Sequence, residues 1–411
     1  MTAGDGRASA TPRTIRLSAP SIEDDDLTAV TDVLKTGFLI QGPHVARFEK
    51  TLAEMTGTAH AVALTNCTAA LQLALLALDV RAGDLVLVTA YSWVSTANAI
   101  ELCGATPVFV DIDERTYNMD PGALEATLTR LAKTEDTRRR LRAVLPVHAF
   151  GQMADMTRIL EIAGRYGLPV IEDAACALGA SWRGKAAGSM GLMSCFSFHP
   201  RKAVTTGEGG AITTDDLALA NRLRALRNHG LDPTSAFPDF IMPGFNCRMT
   251  EFQAAFGVTQ LGKLDRVLSA RRRLSLHYDT LLGRTRVTAP FVADGAVPTY
   301  QSYVTLLPEE AAAGRQELIR TLRERGIETN IGTWHMPMTT FFRTRYGYRA
   351  GDFPVADRVF ARAFTLPLYE GLHETDLEIV VSELVKLLGP AASERPGESN
   401  VAKSSATLGA S

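Results

Sequence analysis

Between residues 59 and 214, short apolar runs alternate with helix-patterned segments, and this rhythm restricts the fold more than any other feature of the chain. AHAVALT, LVLVT, TPVFV, AVLPVH, LPVIE, MSCFSF and GAITT have the length and apolar content of buried strands. The segments between them carry helical spacing. In AALQLALLAL, Leu71, Leu75 and Leu78 recur on one face, and ADMTRILEIAGRYG stops at Gly167. Parallel strands need crossover connections, usually helices, so the expectation is an α/β domain over residues 16–250. Its core should be a mostly parallel, seven-stranded sheet flanked by helices. Past residue 248 the pattern changes. A helical stretch opens on a Thr250, Gln253 capping box, and strand YVTLL, a helix, GIETNI and two more helical segments follow. This predicts a smaller C-terminal α+β domain over 251–389.

Residues 1–15 and 390–411, rich in Ala, Ser, Gly and Thr without apolar periodicity, read as mobile tails. A first helix is expected at Ser21, capped by the Ser21, Asp24 pair and ended by Gly37, with the acidic run Glu23 to Asp26 as a solvated first turn. The basic run RRRLR at 138–142 reads as a solvated loop before a strand.

Of the 411 residues 46% are hydrophobic and 21% charged, the composition of a globular protein with a sizeable core. A net charge of −2 provides no basic field for nucleic acid or a membrane surface, so the expected partners are small molecules and any anion site is local. No stretch approaches the about 18 apolar residues of a membrane span, and residues 1–15 lack the apolar core of a signal peptide. Cys67, Cys103, Cys176, Cys195 and Cys247 are scattered, with no C-x-x-C pair. They suggest neither a disulfide framework nor a metal site, and suit a reducing cytoplasm.

Three features carry chemistry. SCFSFHPRKAVTTGEGG places Lys202 just after an aromatic strand and before a Gly-rich turn that lacks the order of a nucleotide-triphosphate loop. Asp173 ends the run LPVIE, where open α/β sheets present ligand-facing groups. Asn66-Cys67-Thr68 stands where a strand turns into a helix, and helix starts bind anions. Alone, each has a plainer reading: a surface cation, a helix cap, and another cap. Together they match what pyridoxal phosphate asks for, namely an amine for its aldehyde, a carboxylate for its ring nitrogen and oriented donors for its phosphate.

The stretches GPHVARFEKTLAEMTGTAHAVALTNCTAALQLAL, GATPVFVDID, VHAFGQMADM, VIEDAACALGA, FSFHPRKAVTTGEGGAI, LRNHG, GFNCRMTEFQAAFGVTQL and LPLY resemble, in order and spacing, the DegT-type nucleotide-sugar aminotransferases. The resemblance spans about residues 17–388 and implies the aspartate-aminotransferase fold, the type I arrangement of pyridoxal-phosphate transferases. It implies that Lys202 binds the cofactor covalently, that Asp173 pairs with its ring nitrogen, and that Thr68 and Ser197 hold its phosphate. Asn246 would reach that phosphate from a second subunit, which implies a homodimer with shared active sites, and Trp93 would stack on the ring.

Two positions depart from the family pattern. Cys67 replaces the usual Gly of N-G-T, leaving its backbone amide to the phosphate and risking strain if that glycine had a positive φ. Cys176 replaces Gln or His after EDAA, where a thiol makes a weaker hydrogen bond to the ring oxygen. His148 and His335 lie in stretches that resemble cleft linings, His199 adjoins the lysine region, and His229 reads as structural. None is assigned to catalysis. The implied reaction moves an amino group from glutamate or glutamine to a keto sugar, with TTGEGG resembling members that act on 4-keto-6-deoxy nucleotide sugars. A cyclitol aminotransferase, or a dehydratase of the same fold, is the alternative; Lys202 argues against the dehydratases, which carry His there.

Overall fold

A computed structural model describes residues 14–389 of the protein. The expected tails lie outside the described residues except at Thr14 and Ile15. Ile15 is buried, forms a parallel bridge with Ile327 and donates its N–H to the Gly326 carbonyl at 2.8 Å.

Every apolar run of the α/β region forms a strand: β1 (His60–Leu64), β2 (Leu85–Thr89), β3 (Thr106–Val110), β4 (Leu141–Leu145), β5 (Ile171–Asp173), β6 (Met193–Ser197) and β7 (Gly210–Thr214). Their ladders make two sheets, β1-β7-β6-β5 and β3-β2-β4. Isolated parallel bridges, Val144 with Val170 and Val147 with Asp173, link the two between β4 and β5. The pairs of β2 with β3 and β4, and of β5 with β6, are parallel, whereas β7 runs antiparallel to both β1 and β6. The antiparallel turn follows from the connection: residues 198–209 between β6 and β7 contain no helix to carry the chain across the sheet.

Side chains alternate across these strands, and both faces are buried. Val62, Leu64, Val86 and Val88 enter one core cluster, while Ala61, Ala63, Leu85 and Leu87 enter the other. The second cluster also takes in Ala254, Leu261, Leu264 and Leu268. Helix Leu264–Leu282 then continues into a third cluster, where Leu274 and Tyr278 join Tyr303, Phe364 and Leu377. That C-terminal layer has an antiparallel sheet with β10 (Ala363–Leu366) between β8 (Tyr303–Leu306) and β9 (Asn330–Ile331), backed by helix Glu374–Leu388.

Two local expectations need correction. The first helix, α1 (Asp24–Thr36), starts from Glu23 rather than Ser21, through a capping box with Asp26; Gly37 ends it with φ 70°. Its acidic turn is not wholly solvated. Asp26 is buried, 2.6 Å from Lys263 Nζ and 3.0 Å from Gln260 Nε2, so the carboxylate ties α1 to the helices that follow residue 250. The basic run closes a short helix, Glu135–Arg140, rather than a loop, because Thr134 caps it and Arg139 and Arg140 pair with Glu135 and Asp136 one turn earlier. Among the described residues no helix is long and apolar enough to cross a membrane.

Candidate active site

Strand order brings the chemistry together. In the first sheet the C-terminal ends of β1, β6 and β5 share one edge: Leu64 pairs with Gly210, Gly210 with Ser197, and Cys195 with Asp173. Thr65 to Thr68, Ser197 and Asp173, more than a hundred residues apart at the extremes, therefore line one border, the place where α/β sheets bind ligands.

α2 (Cys67–Ala77) begins at the end of β1. Its N-cap Asn66 accepts the Ala69 N–H at 2.9 Å, and the Asn66 carbonyl accepts that of Ala70. The amides of Cys67 and Thr68 are left without a partner among the described residues, next to the Thr68 hydroxyl, at the positive end of a helix dipole. This turn packs on Gly210, where a Cβ would come within 2.3 Å of the Asn66 carbonyl carbon and 2.6 Å of the Cys67 nitrogen. Only glycine fits there. Cys67 itself takes a helical conformation and is absent from the positive-φ residues, so the expected strain does not arise. Burial, and then the charge of Asp173, push its thiol well above the ordinary cysteine range.

Asp173 is buried at the end of β5. One carboxylate oxygen accepts from Thr96 Oγ1 at 2.7 Å, the other from the Ala175 N–H at 3.2 Å. Burial raises its pKa against these two donors. Such a carboxylate gains by meeting a cation. Glu172, the residue before it, points to the other face and is far better served. It accepts from Ser194 Oγ at 2.8 Å and from the N–H groups of Gly191 at 2.6 Å and Met190 at 3.0 Å, and it lies 2.8 Å from His148 Nε2. Burial works to raise its pKa, but the hydrogen bond from His148 and the surrounding donors leave it lowered.

Lys202 sits in the β6 to β7 connection, in a turn closed by its N–H to the His199 carbonyl. Its ammonium group lies 3.1 Å from Cys176 Sγ. Burial lowers its pKa, yet Cys176, with a contribution from Asp173, leaves it raised. The TTGEG stretch that follows is fastened to itself: Thr205 Oγ1 donates to the Phe198 carbonyl and accepts from Gly207 N–H, and Gly207 has φ 80°. From the C-terminal layer, Gln301 Nε2 donates to the Arg201 carbonyl, while the buried Arg271 donates to the Gln301 carbonyl at 3.0 Å.

The structure brings together Lys202, Asp173, Cys67, Thr68, Ser197 and Cys176. Trp93 stands at the start of helix α3 (Ser95–Leu102); it is 61% exposed, which excludes a core role, and its carbonyl accepts from Thr96. Asn246 is exposed and bridged to Asn228, one residue before the Cys247 carbonyl that accepts the Thr65 N–H.

Two histidines depart from the expected cleft lining. His148 is fully buried behind the strand ends, where Nδ1 accepts the Ala154 N–H, so that Nε2 carries the proton toward Glu172. His335 is buried with Nε2 3.1 Å from Asp357 Oδ1, and burial lowers its pKa. His199 uses Nδ1 to accept the Arg201 N–H, and His229 is an exposed turn residue at φ 58°.

Thr96 and Gly210 are site residues that sequence reasoning did not assign, although Gly210 lies in the FSFHPRKAVTTGEGGAI stretch and Thr96 stands three residues after Trp93. Their roles depend on contacts to Asp173 and to the Asn66 turn, which no local spacing announces.

A buried amine, a carboxylate in want of a cation and a helix start with two free amides are the donor set pyridoxal phosphate needs, and they define a pyridoxal-phosphate enzyme on an α/β sheet. Comparison with known proteins gives the family. Residues 20–385 match the DegT/DnrJ/EryC1/StrS aminotransferase family. GDP-perosamine synthase from Caulobacter vibrioides is 40% identical over 378 residues, covering 91% of this chain and 98% of that protein. Among solved structures, PseC of Helicobacter pylori, an aminotransferase involved in the biosynthesis of pseudoaminic acid, superposes with a TM-score of 0.84 at 26% identity, over 92% of this chain and 99% of that one. The PLP form of the putative sugar aminotransferase Spr1654 from Streptococcus pneumoniae gives 0.83 at 28% identity, over 90% and 97%. The chain belongs to the DegT/DnrJ/EryC1/StrS family and is a pyridoxal-phosphate-dependent aminotransferase.

Proposed function

We propose that this enzyme moves an amino group from glutamate or glutamine to a keto sugar, a nucleotide-linked 4-keto-6-deoxyhexose. The observation that carries the reading is the Lys202 amine held beside Cys176 at the sheet edge that presents Asp173. The substrate class is supported by the relatives, one of which is named a GDP-perosamine synthase.

Bound in this site, pyridoxal phosphate supplies an electron sink that makes the donor carbon acidic. Lys202 is the residue whose amine would hold the cofactor, and the same amine, when free, would serve as the base for the donor's proton. Asp173, short of donors, would pair with the cofactor's ring nitrogen and favour its protonated form. Thr68, the Cys67 amide and Ser197 would hold the phosphate, Trp93 would pack against the cofactor, and Cys176, which touches the Lys202 amine, steadies the lysine and would offer its thiol to the cofactor. The segment around Asn246 carries exposed Phe240, Ile241 and Phe245, and Phe38 and Ile40 are exposed as well. A second copy of the chain covers such apolar surface and lets Asn246 reach the partner's phosphate site. The five free cysteines suit a reducing cytoplasm.

The test is spectroscopic and chemical. Purified protein should carry a visible cofactor band that changes on adding glutamate, and a panel of keto sugars followed by mass should show nitrogen gained only by nucleotide-linked 4-keto sugars. A colourless protein unable to bind the cofactor would overturn the enzyme reading; amination of a cyclitol ketone alone would overturn the substrate.

A further inference from the structure

Residues 299–301, which lead into β8, touch both sides of the Lys202 and Cys176 pair. Thr299 is fully buried; its Oγ1 donates to the Cys176 carbonyl at 2.9 Å and its N–H to the Gly151 carbonyl at 3.0 Å. Gln301 Nε2 donates to the Arg201 carbonyl, one residue before Lys202. Cys176 Sγ in turn lies 3.1 Å from the Lys202 amine. The contact with the 149–151 turn is close enough to require a glycine, since a Cβ on Gly151 would come within 2.0 Å of Thr299 Oγ1 and 3.0 Å of the Cys176 carbonyl oxygen.

The bend that aims these two side chains is not a relaxed one. Tyr300, between them, has φ 48°, a left-handed conformation that an aromatic residue seldom adopts and keeps only when its surroundings hold it. Arg271 holds it. From helix Leu264–Leu282 its Nη1 donates to the Tyr300 carbonyl and to the Gln301 carbonyl, each at 3.0 Å. Arg271 is 2% exposed, makes no ion pair among the described residues, and its Nε–H finds no acceptor. Burial pushes its pKa down to about 10, so it is a cation at neutral pH. A buried charge without a carboxylate is costly, and packing alone is a poor reason to keep one. What this cation accomplishes is to turn two successive carbonyls toward a single nitrogen and so fix the side chains on either side of Tyr300.

We infer that Arg271 is a positioning residue for Lys202: by holding the Tyr300 and Gln301 carbonyls it aims Gln301 at the Arg201 carbonyl and Thr299 at the Cys176 carbonyl. The loop that carries the lysine and the thiol beside its amine are thereby fixed against each other from the C-terminal layer. Arg271 is buried behind this segment and acts only through it. The inference rests on the reading of Lys202 as the cofactor's lysine and adds to it the residues that set where the amine stands. An amine that both captures an aldehyde and moves a proton must sit within hydrogen-bond reach of its target, and a misplacement of about 1 Å from a distant change costs on the order of a hundredfold.

The experiment follows the cofactor-free full chain as it takes up pyridoxal phosphate, by growth of the visible band and by mass after borohydride reduction. It then records how fast the band responds to glutamate. Arg271→Met and Gln301→Leu should each slow covalent capture and the maximal response by about tenfold or more, with the half-saturating glutamate concentration within about threefold of the parent's. Arg271→Lys, which keeps the charge and a donor, should recover part of both rates. A purely structural role gives a lowered melting temperature with parent-like capture and response in the folded fraction, and that result overturns the inference. So does a slow Arg271→Met beside a Gln301→Leu at the parent's rates, because the link through Gln301 is then absent. Should Arg271→Met fail to fold, Gln301→Leu, which leaves the buried cation in place, decides alone. Lys202→Ala measured in parallel keeps the two readings apart: covalent capture by Lys202→Ala sinks the assignment of the lysine, whereas its loss beside parent-like Arg271→Met and Gln301→Leu sinks only the positioning role.

Discussion

Glu172 and Asp173 are consecutive, buried and acidic, and the two faces they reach are opposite in kind. Behind the strand, Glu172 is surrounded by the Ser194 hydroxyl, the His148 ring and the N–H groups of Met190 and Gly191. In front, Asp173 has one hydroxyl and one amide. The rear carboxylate is satisfied and its pKa lowered; the front one is under-served and its pKa raised. A carboxylate whose needs the fold meets contributes to stability, and one whose needs the fold leaves unmet is kept for a ligand.

That contrast breaks hardest on the front face. Lys202→Ala should lose the covalent cofactor band and lower turnover by at least about a thousandfold, measured by absorbance and amine transfer, while the melting temperature of the cofactor-free protein stays near the parent's. Asp173→Asn should cut turnover by roughly a hundredfold or more and leave the cofactor-free protein as stable as the parent or more so, because a strained charge is removed. A destabilised Asp173→Asn protein with normal turnover would reverse the roles assigned to the two acids.

Glu172→Gln should do the opposite. Its amide group would point a donor at donors, at a cost of about 3 kcal/mol in denaturant unfolding, with kcat of the folded fraction within a few-fold of the parent.

The pH dependence separates the faces again. Because the folded pKa of Glu172 is lowered, its contribution is present above the usual carboxylate pKa and is lost as pH falls through the folded value. Asp173 is raised, so it lowers stability as pH rises from the usual carboxylate pKa to its folded one. Denaturant midpoints of the cofactor-free protein between about pH 7 and pH 2.5 should show that Glu172→Gln removes part of the acid sensitivity and that Asp173→Asn deepens it.

The smallest effect is expected for Cys67→Gly. The backbone amide is retained and no positive φ needs relief, so cofactor affinity should change by less than about threefold and stability by less than about 1 kcal/mol. A large gain in affinity would mean that the thiol crowds the phosphate.

Much of this was legible in the linear chain. All seven strands of the α/β region sit where apolar runs predict them, since burial on both faces writes itself into a few consecutive residues. Lys202, Asp173 and Thr68 were recognisable because each stands at a strand end or helix start, a position that local pattern reveals. The antiparallel course of β7 was less visible, as it depends on a connection that lacks a helix. Asp26 read as solvated because its partner Lys263 is 237 positions away. His148 and His335 read as cleft residues because sequence distance from a motif does not say which side of a sheet a ring faces.

The sequence by itself determined which residues could do the chemistry: an amine beside a glycine-rich turn, an acid at the end of an apolar strand, and a helix start with a hydroxyl. These are properties of residue type and short-range spacing. The tertiary structure alone decided how each is used, by ordering the strands so that Ser197, Gly210 and the Asn66 turn meet, by lending Thr96 to one acid and His148 to its neighbour, and by setting the Lys202 amine against Cys176. Those choices depend on partners tens to hundreds of residues away, and only burial and hydrogen bonding in three dimensions select them.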